Sequence, residues 1–513
     1  MAPHARLKMH TERGMTLSDN LRTRVRTTAM DGKGQRWLVL GVIFIAAVVV
    51  EGLVALFMRS KGVNLTGDSP SYIIQAQSYV HLTPHILPTI KSDLRAHSLT
   101  SYAVGAPTNV VAQFPGPHGV ISPFEPGMGI LLIPFVAFGR LYFGATLGML
   151  CYTTAGLILL HQRVKALTGL SRRGQVLLAL LFVGPAMLVS VNQIYPDLPS
   201  GVLIGCALVE LALMERSGKV TWVSYVVVTA SAAMLPWLQI KNLVPALVLL
   251  VAFAFVAIGK KSALRPLAVV CAICVLSWLV LLWYNEHYFG HLLGLPEAAP
   301  KFTRNGVEYT LGLLFDRDQG LFVQIPFALI GLIGLWLSRR KLPVAVVASV
   351  VSLGVILVLN GTYIVNPYGG FSLAGRFMLT LIPAMLMWTA VVIAQWEDAR
   401  RLLWVPIGVV IVAWIYMAVP ILRGQHVYYN VFSFTTPPTS LSAWPGWWPG
   451  LDRVLSQFEL PGHFLGAPSY AVVVELVFAA ILIVCACLYL RPAPERALQS
   501  ERRIRAATSR PER

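Results

Sequence analysis

The sequence predicts an all-α polytopic membrane protein, with about twelve transmembrane helices, one short re-entrant or interfacial helix and a large first outer loop. Three observations predict it. Only 12% of the 513 residues are charged and 56% are hydrophobic, whereas a soluble domain carries about 25% charged residues to solvate its surface. Apolar runs recur at the roughly 20-residue length that carries a helix across about 30 Å of hydrocarbon. The basic residues fall between these runs and in the two tails, with no single basic face, as the positive-inside rule produces.

The spans are expected at 37–58, 141–160, 175–191, 198–214, 222–238, 242–258, 266–285, 320–338, 343–360, 376–395, 402–420 and 469–490. Before the first of them, residues 1–36 form a basic tail expected to be disordered and cytoplasmic, and 491–513 form another. The first run starts at Trp37, is long enough to span and lacks a small-residue cleavage site, so it reads as a helix of the 37–490 membrane domain rather than a cleaved signal. A shorter apolar piece, Gly127 to Phe138, opens after Pro126 and is too short to cross.

Orientation follows from the charges. With the N-terminus inside, 29 of the 41 Lys and Arg residues lie on the cytoplasmic side, although the outer loops are longer. Counting Gly127 to Phe138 as a span would put Arg172 and Arg173 outside and invert every later loop. Three outer segments are long: 59–126, 286–319 and 421–469. Eleven of the 23 acidic residues and eight of the eleven histidines are outer, which directs the search for chemistry to that face.

The net charge of +18 is spread too widely for a nucleic-acid surface, and anionic lipid is the partner expected for the tails. The six cysteines, Cys151, Cys206, Cys271, Cys274, Cys485 and Cys487, all fall within apolar runs and read as buried thiols. Cys271 and Cys274 form a C-x-x-C without a second ligand pair nearby.

The outer residues able to carry chemistry form five groups. In the first loop, Asp68 precedes Ser69 and Pro70, and Tyr72, Ala76 and Tyr79 recur at helical spacing. This predicts an amphipathic helix resting on the membrane, with Ser69 as its cap; Asp68 either points into the enclosed space or is itself the cap. Asp197, after Tyr195-Pro196, either caps a returning helix or faces the same space. Lys241 either snorkels to the interface or meets an anion. Asp316 and Asp318 flank Arg317 in a formal D-x-D, but no nucleotide-binding domain accompanies them. Arg376 closes the glycine-rich Tyr368-Gly-Gly-Phe-Ser-Leu-Ala-Gly-Arg376, where a guanidinium grips phosphate, anchors at the interface or pairs with an outer carboxylate. Three acids lie within spans: Glu210, near the cytoplasmic end and within reach of water, and the deeper Glu51 and Glu475.

These motifs resemble the GT-C superfamily of membrane glycosyltransferases, especially bacterial members related to the protein O-mannosyltransferase and aminoarabinose transferase families. The likeness lies in Gly67-Asp-Ser-Pro-Ser-Tyr72, Tyr195-Pro-Asp-Leu-Pro199, Leu235-Pro-Trp-Leu-Gln-Ile-Lys241, Gly312-Leu-Leu-Phe-Asp-Arg-Asp-Gln-Gly-Leu-Phe322 and Gly369-Gly-Phe-Ser-Leu-Ala-Gly-Arg-Phe377, in that order over residues 37 to 420. The resemblance implies transfer of a sugar from a polyprenyl-phosphate donor to a glycan, lipid or protein hydroxyl on the outer face of a bacterial inner membrane. It also implies that Asp68 is the catalytic carboxylate. Lys241 and Arg376 are then candidates for the donor phosphate, and Tyr72, Asp197, Asp316 and Arg317 are substrate-binding or structural. Many relatives carry a second acid where Ser69 stands, so a divalent metal is unsupported and no cofactor is assigned. The tryptophans of Trp444-Pro-Gly-Trp-Trp448 match no family motif and read as interfacial anchors or sugar-stacking rings. A translocator of lipid-linked sugars would require polar groups along a path through the membrane; a polysaccharide polymerase or ligase would share the charged outer loops.

Overall fold

The computed structural model describes helical residues scattered between 41 and 56, then 68–96, 111–138, 141–182, 193–258, 264–294, 310, 313–314, 321–325, 327–361, 376–396 and 408. Asp316, Arg317, Glu475, the tryptophan-rich loop, the span at 402–420 apart from residue 408, the span at 469–490 and both tails lie outside these residues. The chain divides into two contact units, Met1–Leu53 and Val54–Arg513. The described part of the first is helical and includes the buried Glu51.

In the second unit the described elements are α1 (Ser69–Val80), α2 (Leu87–Ala96), a two-stranded antiparallel hairpin of β1 (Phe114–Gly116) and β2 (Gly119–Ile121), α3 (Pro126–Phe138), α4 (Leu141–Thr168), α5 (Arg172–Phe182), α6 (Asp197–Ser217), α7 (Trp222–Leu238), α8 (Leu243–Ile258), α9 (Leu264–Phe289), α10 (Leu321–Gln324), α11 (Phe327–Ser338), α12 (Pro343–Gly361) and α13 (Ile382–Trp396). Five of the described segments are long and apolar enough to cross a membrane: Tyr142–Thr168, Asp197–Ser217, Ile240–Ile258, Arg265–Phe289 and Pro343–Gly361. The protein is an all-α polytopic membrane protein.

Burial ranks these helices. The apolar window of α6 is 89% buried within the protein, and that of α9 only 22%. Val269, Ile273, Leu276, Leu279 and Trp283 of α9 therefore form an exposed apolar flank, the surface that lipid covers. The central α6 is packed by α4, α7, α12 and α13. Small residues make the close approaches, as expected where lipid removes any hydrophobic drive between helices. A Cβ on Gly201 would lie 2.7 Å from the Leu379 carbonyl oxygen, and one on Gly205 2.9 Å from Pro383. A Cβ on Gly334 would collide with the Trp388 backbone, so α11 lies directly against α13.

The short helix expected at Gly127 to Phe138 is present as α3, 13 residues with Pro134 inside it. Its neighbour α1 differs from the sequence reading. Instead of resting on a membrane, α1 is buried along most of its length, including Tyr72, Ile73, Ile74 and Ala76, and packs on α3. Gly129 permits this, because a Cβ there would lie 2.8 Å from the Tyr79 ring. Apolar spacing alone does not tell a protein partner from a lipid one. Ser69 is not the cap: Asp68 holds that position, and the Ser69 hydroxyl accepts from Ile194 N at 3.1 Å and reaches Gln193 Oε1 at 3.4 Å.

Candidate active site

Four charged side chains from four segments meet at the start of α6. Asp68 arrives ahead of α1, Asp197 is the first residue of α6, Lys241 lies in a 3-10 turn (Ile240–Asn242) after α7, and Arg376 begins a 3-10 turn (Arg376–Thr380) leading to α13. Each placement has a local cause. Gly201 lets the Arg376 turn lie on α6, and Thr380 Oγ1 donates to the Asp197 carbonyl at 3.2 Å. Pro236 sits in the last turn of α7, and the extended Gln239 (φ −158°) ends that helix so that the chain turns at Lys241. Glu125 Oε1 accepts from Ile240 N at 3.2 Å, and Asn242 Nδ2 donates to Ser200 Oγ at 3.0 Å, fixing the turn on both sides.

Arg376 is the hub. Its Nη1 donates to Asp68 Oδ2 at 2.8 Å and its Nε to Asp197 Oδ2 at 3.0 Å. The guanidinium carbon lies 3.8 Å from the centroid of the Tyr195 ring, a cation–π contact. Lys241 Nζ donates to Asn360 Oδ1 at 2.7 Å, is 3.6 Å from Asp197 Oδ1 and stands 4.5 Å from the centroid of Phe377. The lysine is therefore turned inward and does not snorkel.

Neither aspartate acts as a plain cap. At Asp68 the carbonyl accepts from Ser71 N and Tyr72 N, and the side chain makes no capping bond. At Asp197 both carboxylate oxygens face Arg376 and Lys241. The two carboxylates differ in access: the Asp68 side chain is 33% exposed and that of Asp197 0%. The set thus has two carboxylates, two cations and one open acid.

Tyr72 lies beneath, its ring 4.8 Å from that of Phe124, and burial, with a smaller contribution from the Asp68 charge, raises its phenol well above the ordinary value. Burial also raises the Glu125 carboxyl, against the pull of its backbone hydrogen bonds and of Lys241. Among the described residues no three His, Cys, Asp or Glu side chains group as metal ligands would.

Of the residues singled out in the sequence, Asp68, Tyr72, Asp197, Lys241 and Arg376 come together. Tyr195 and Phe377 lie within the quoted motifs but carried no role there. Asn360 and Glu125 were missed as site residues, although Asn360 is the single amide in a mostly apolar run, a signal for a functional group at a membrane boundary.

No family model matches the chain, and no curated protein matches it. Two solved structures of ArnT from Cupriavidus metallidurans are similar to it. The apo structure is 17% identical, with 86% of this chain and 74% of that one covered at a TM-score of 0.47. The structure bound to undecaprenyl phosphate is 15% identical, with 68% of this chain and 59% of that one covered at a TM-score of 0.39. The chain thus spans about 59% of the length of the latter. Likeness at that level carries no functional weight; what the cluster can do follows from its own geometry.

Proposed function

We propose that the protein transfers a sugar from a polyprenyl-phosphate-linked donor to an acceptor hydroxyl on the outer face of the cell membrane, with Asp68 as general base and both termini cytoplasmic. The observation that carries this reading is the open carboxylate of Asp68, which is held by Arg376 at 2.8 Å and released from helix capping. A base needs access to the proton it removes, and Asp68 has it.

In this reading Asp68 takes the proton of the acceptor hydroxyl as that oxygen bonds to the anomeric carbon. The bond from that carbon to the phosphate oxygen breaks, and its electron pair stays on the phosphate. Negative charge then develops where fixed cations are useful. Arg376 has five N–H groups, of which the two aspartates take two, and Lys241 has further donors beyond its bond to Asn360. Both are assigned to the donor phosphate. Tyr72 and Asp197 are positioning residues, the first supporting the Asp68 turn and the second holding both cations. Asp316 and Arg317 keep only their sequence assignment as substrate-binding or structural residues.

Membranes containing the protein, incubated with radiolabelled polyprenyl-phosphate sugars, test this directly. Label is expected to pass from lipid to an acceptor with the wild type, and not with Asp68→Asn at equal folded protein. Transfer by neither protein with any donor, or equal transfer by both, contradicts the reading.

A further inference from the structure

Of the buried atoms around Lys241 that lack a hydrogen-bond partner, two are of opposite kind and lie on residues that Lys241 itself meets. Asn360 Nδ2 is a donor and Asp197 Oδ1 is an acceptor. The orientation of the Asn360 amide follows from chemistry: an ammonium only donates, so the atom it meets at 2.7 Å has to be Oδ1, and Nδ2 is turned away from Lys241. Asp197 Oδ2 is engaged by Arg376, which leaves Oδ1 with only the 3.6 Å approach of Lys241. Asn360 is 1% and Asp197 0% exposed, so bulk water serves neither atom. Buried polar groups without partners are costly, and their clustering around one lysine at a candidate active site points to a ligand.

The pair discriminates between ligand chemistries. A phosphate oxygen satisfies Nδ2 but is repelled by the Asp197 carboxylate, and an apolar group satisfies neither. Sugar hydroxyls satisfy both kinds, one accepting from Nδ2 and the same or a neighbouring one donating to Oδ1. We propose that Asn360 and Asp197, both beside Lys241, form a subsite for hydroxyls of the sugar carried by the donor, and that Asn360 sets sugar specificity. This rests on the reading of the cluster as a lipid-linked sugar site. The phosphate then lies with Arg376 and the remaining donors of Lys241.

Binding, rather than transfer, tests it. Full-length protein in nanodiscs is titrated with undecaprenyl phosphate, undecaprenyl-phosphate mannose and undecaprenyl-phosphate glucose. The wild type is expected to bind at least one sugar-bearing lipid more tightly than undecaprenyl phosphate. Asn360→Leu and Asn360→Asp each cut the preference for that lipid over undecaprenyl phosphate about tenfold, whatever either does to phosphate binding through Lys241, as loss of one buried hydrogen bond to a hydroxyl predicts. Asn360→Asp keeps an acceptor facing Lys241, so its loss isolates the Nδ2 donor. A sugar preference unchanged in both variants, which an ordered water in the subsite would give, overturns the proposal. So do equal losses for all three lipids, or a wild type without sugar preference; each of these leaves phosphate binding intact as a reading. A wild type that binds none of the three lipids overturns the underlying reading instead.

Discussion

The two ends of α6 each hold a buried ion pair, and they are built differently. At the Glu210 end, both carboxylate oxygens are used: Arg163 meets them through Nε and through Nη2, the latter at 2.9 Å, and Ser224 Oγ donates at 2.9 Å. One turn on, Glu215 accepts from Val344 N at 3.0 Å and Ala345 N at 3.1 Å, capping α12. That end is closed. Glu210, expected within reach of water, is 0% exposed, because Arg163 on α4 and Ser224 on α7 cover it. At the Asp197 end, about 20 Å away along the helix, the charges also balance, yet one acid is open and buried polar atoms, Asn360 Nδ2 and Asp197 Oδ1 among them, lack a hydrogen-bond partner. A membrane protein thus uses buried charge both as a staple and as a site, and what separates them is whether the hydrogen-bonding capacity is exhausted.

Breaking the staple gives the largest expected effect. Arg163→Met strands the buried Glu210 carboxylate and should destabilise by about 3–5 kcal/mol, read as a lower melting temperature in detergent, with transfer per folded molecule unchanged. Normal melting would mean that Glu210 is satisfied without its arginine. On the other side, Arg376→Lys keeps the charge and loses the fork that spans both aspartates; transfer should fall by about 10²–10³ with folding retained. Transfer at the wild-type rate would show that charge alone suffices there.

Gly201→Ala touches neither charge. Its Cβ would press on Leu379 and Thr380, displacing the turn that carries Arg376, and a loss of about tenfold in transfer is expected from the misplacement. A change in melting temperature without loss of transfer would place the turn outside the site. The smallest effect concerns Glu125. Its folded pKa is raised above the ordinary 4.5, so its contribution to stability is complete below that value and is lost as pH rises through the folded pKa. Glu125→Gln still accepts from Ile240 N and cannot ionise, so its melting temperature should gain on the wild type as pH rises from about 4 to 8; a constant difference would contradict the shift.

The same contrast shows what the sequence could tell. Apolar run lengths located α3 and the five long spanning helices, because run length is the one property that hydrocarbon thickness sets. The gathering of Asp68, Asp197, Lys241 and Arg376 was legible from their common face and motif order. Pairings were not. Arg163 and Glu210 are 47 residues apart, and Arg376 and Asp68 are 308 apart; no local period connects them. Asn360 stands out in α12 as its one amide, but its pairing with Lys241 was not legible, because nothing in α12 indicates that Lys241 would turn inward. The burial of α1 was missed for a related reason: its apolar face is the same whether α3 or lipid covers it.

The central claim is that the open end of α6 does chemistry through Asp68, and the most direct test separates binding from turnover in Asp68→Asn. Affinity for undecaprenyl phosphate is measured in nanodiscs, and turnover with the preferred sugar-bearing lipid under saturation. Turnover is predicted to fall by about 10²–10⁴, while lipid affinity stays equal or tightens, since Arg376 loses a competing carboxylate. Wild-type turnover in the variant, or a loss confined to lipid affinity, would contradict a base at Asp68.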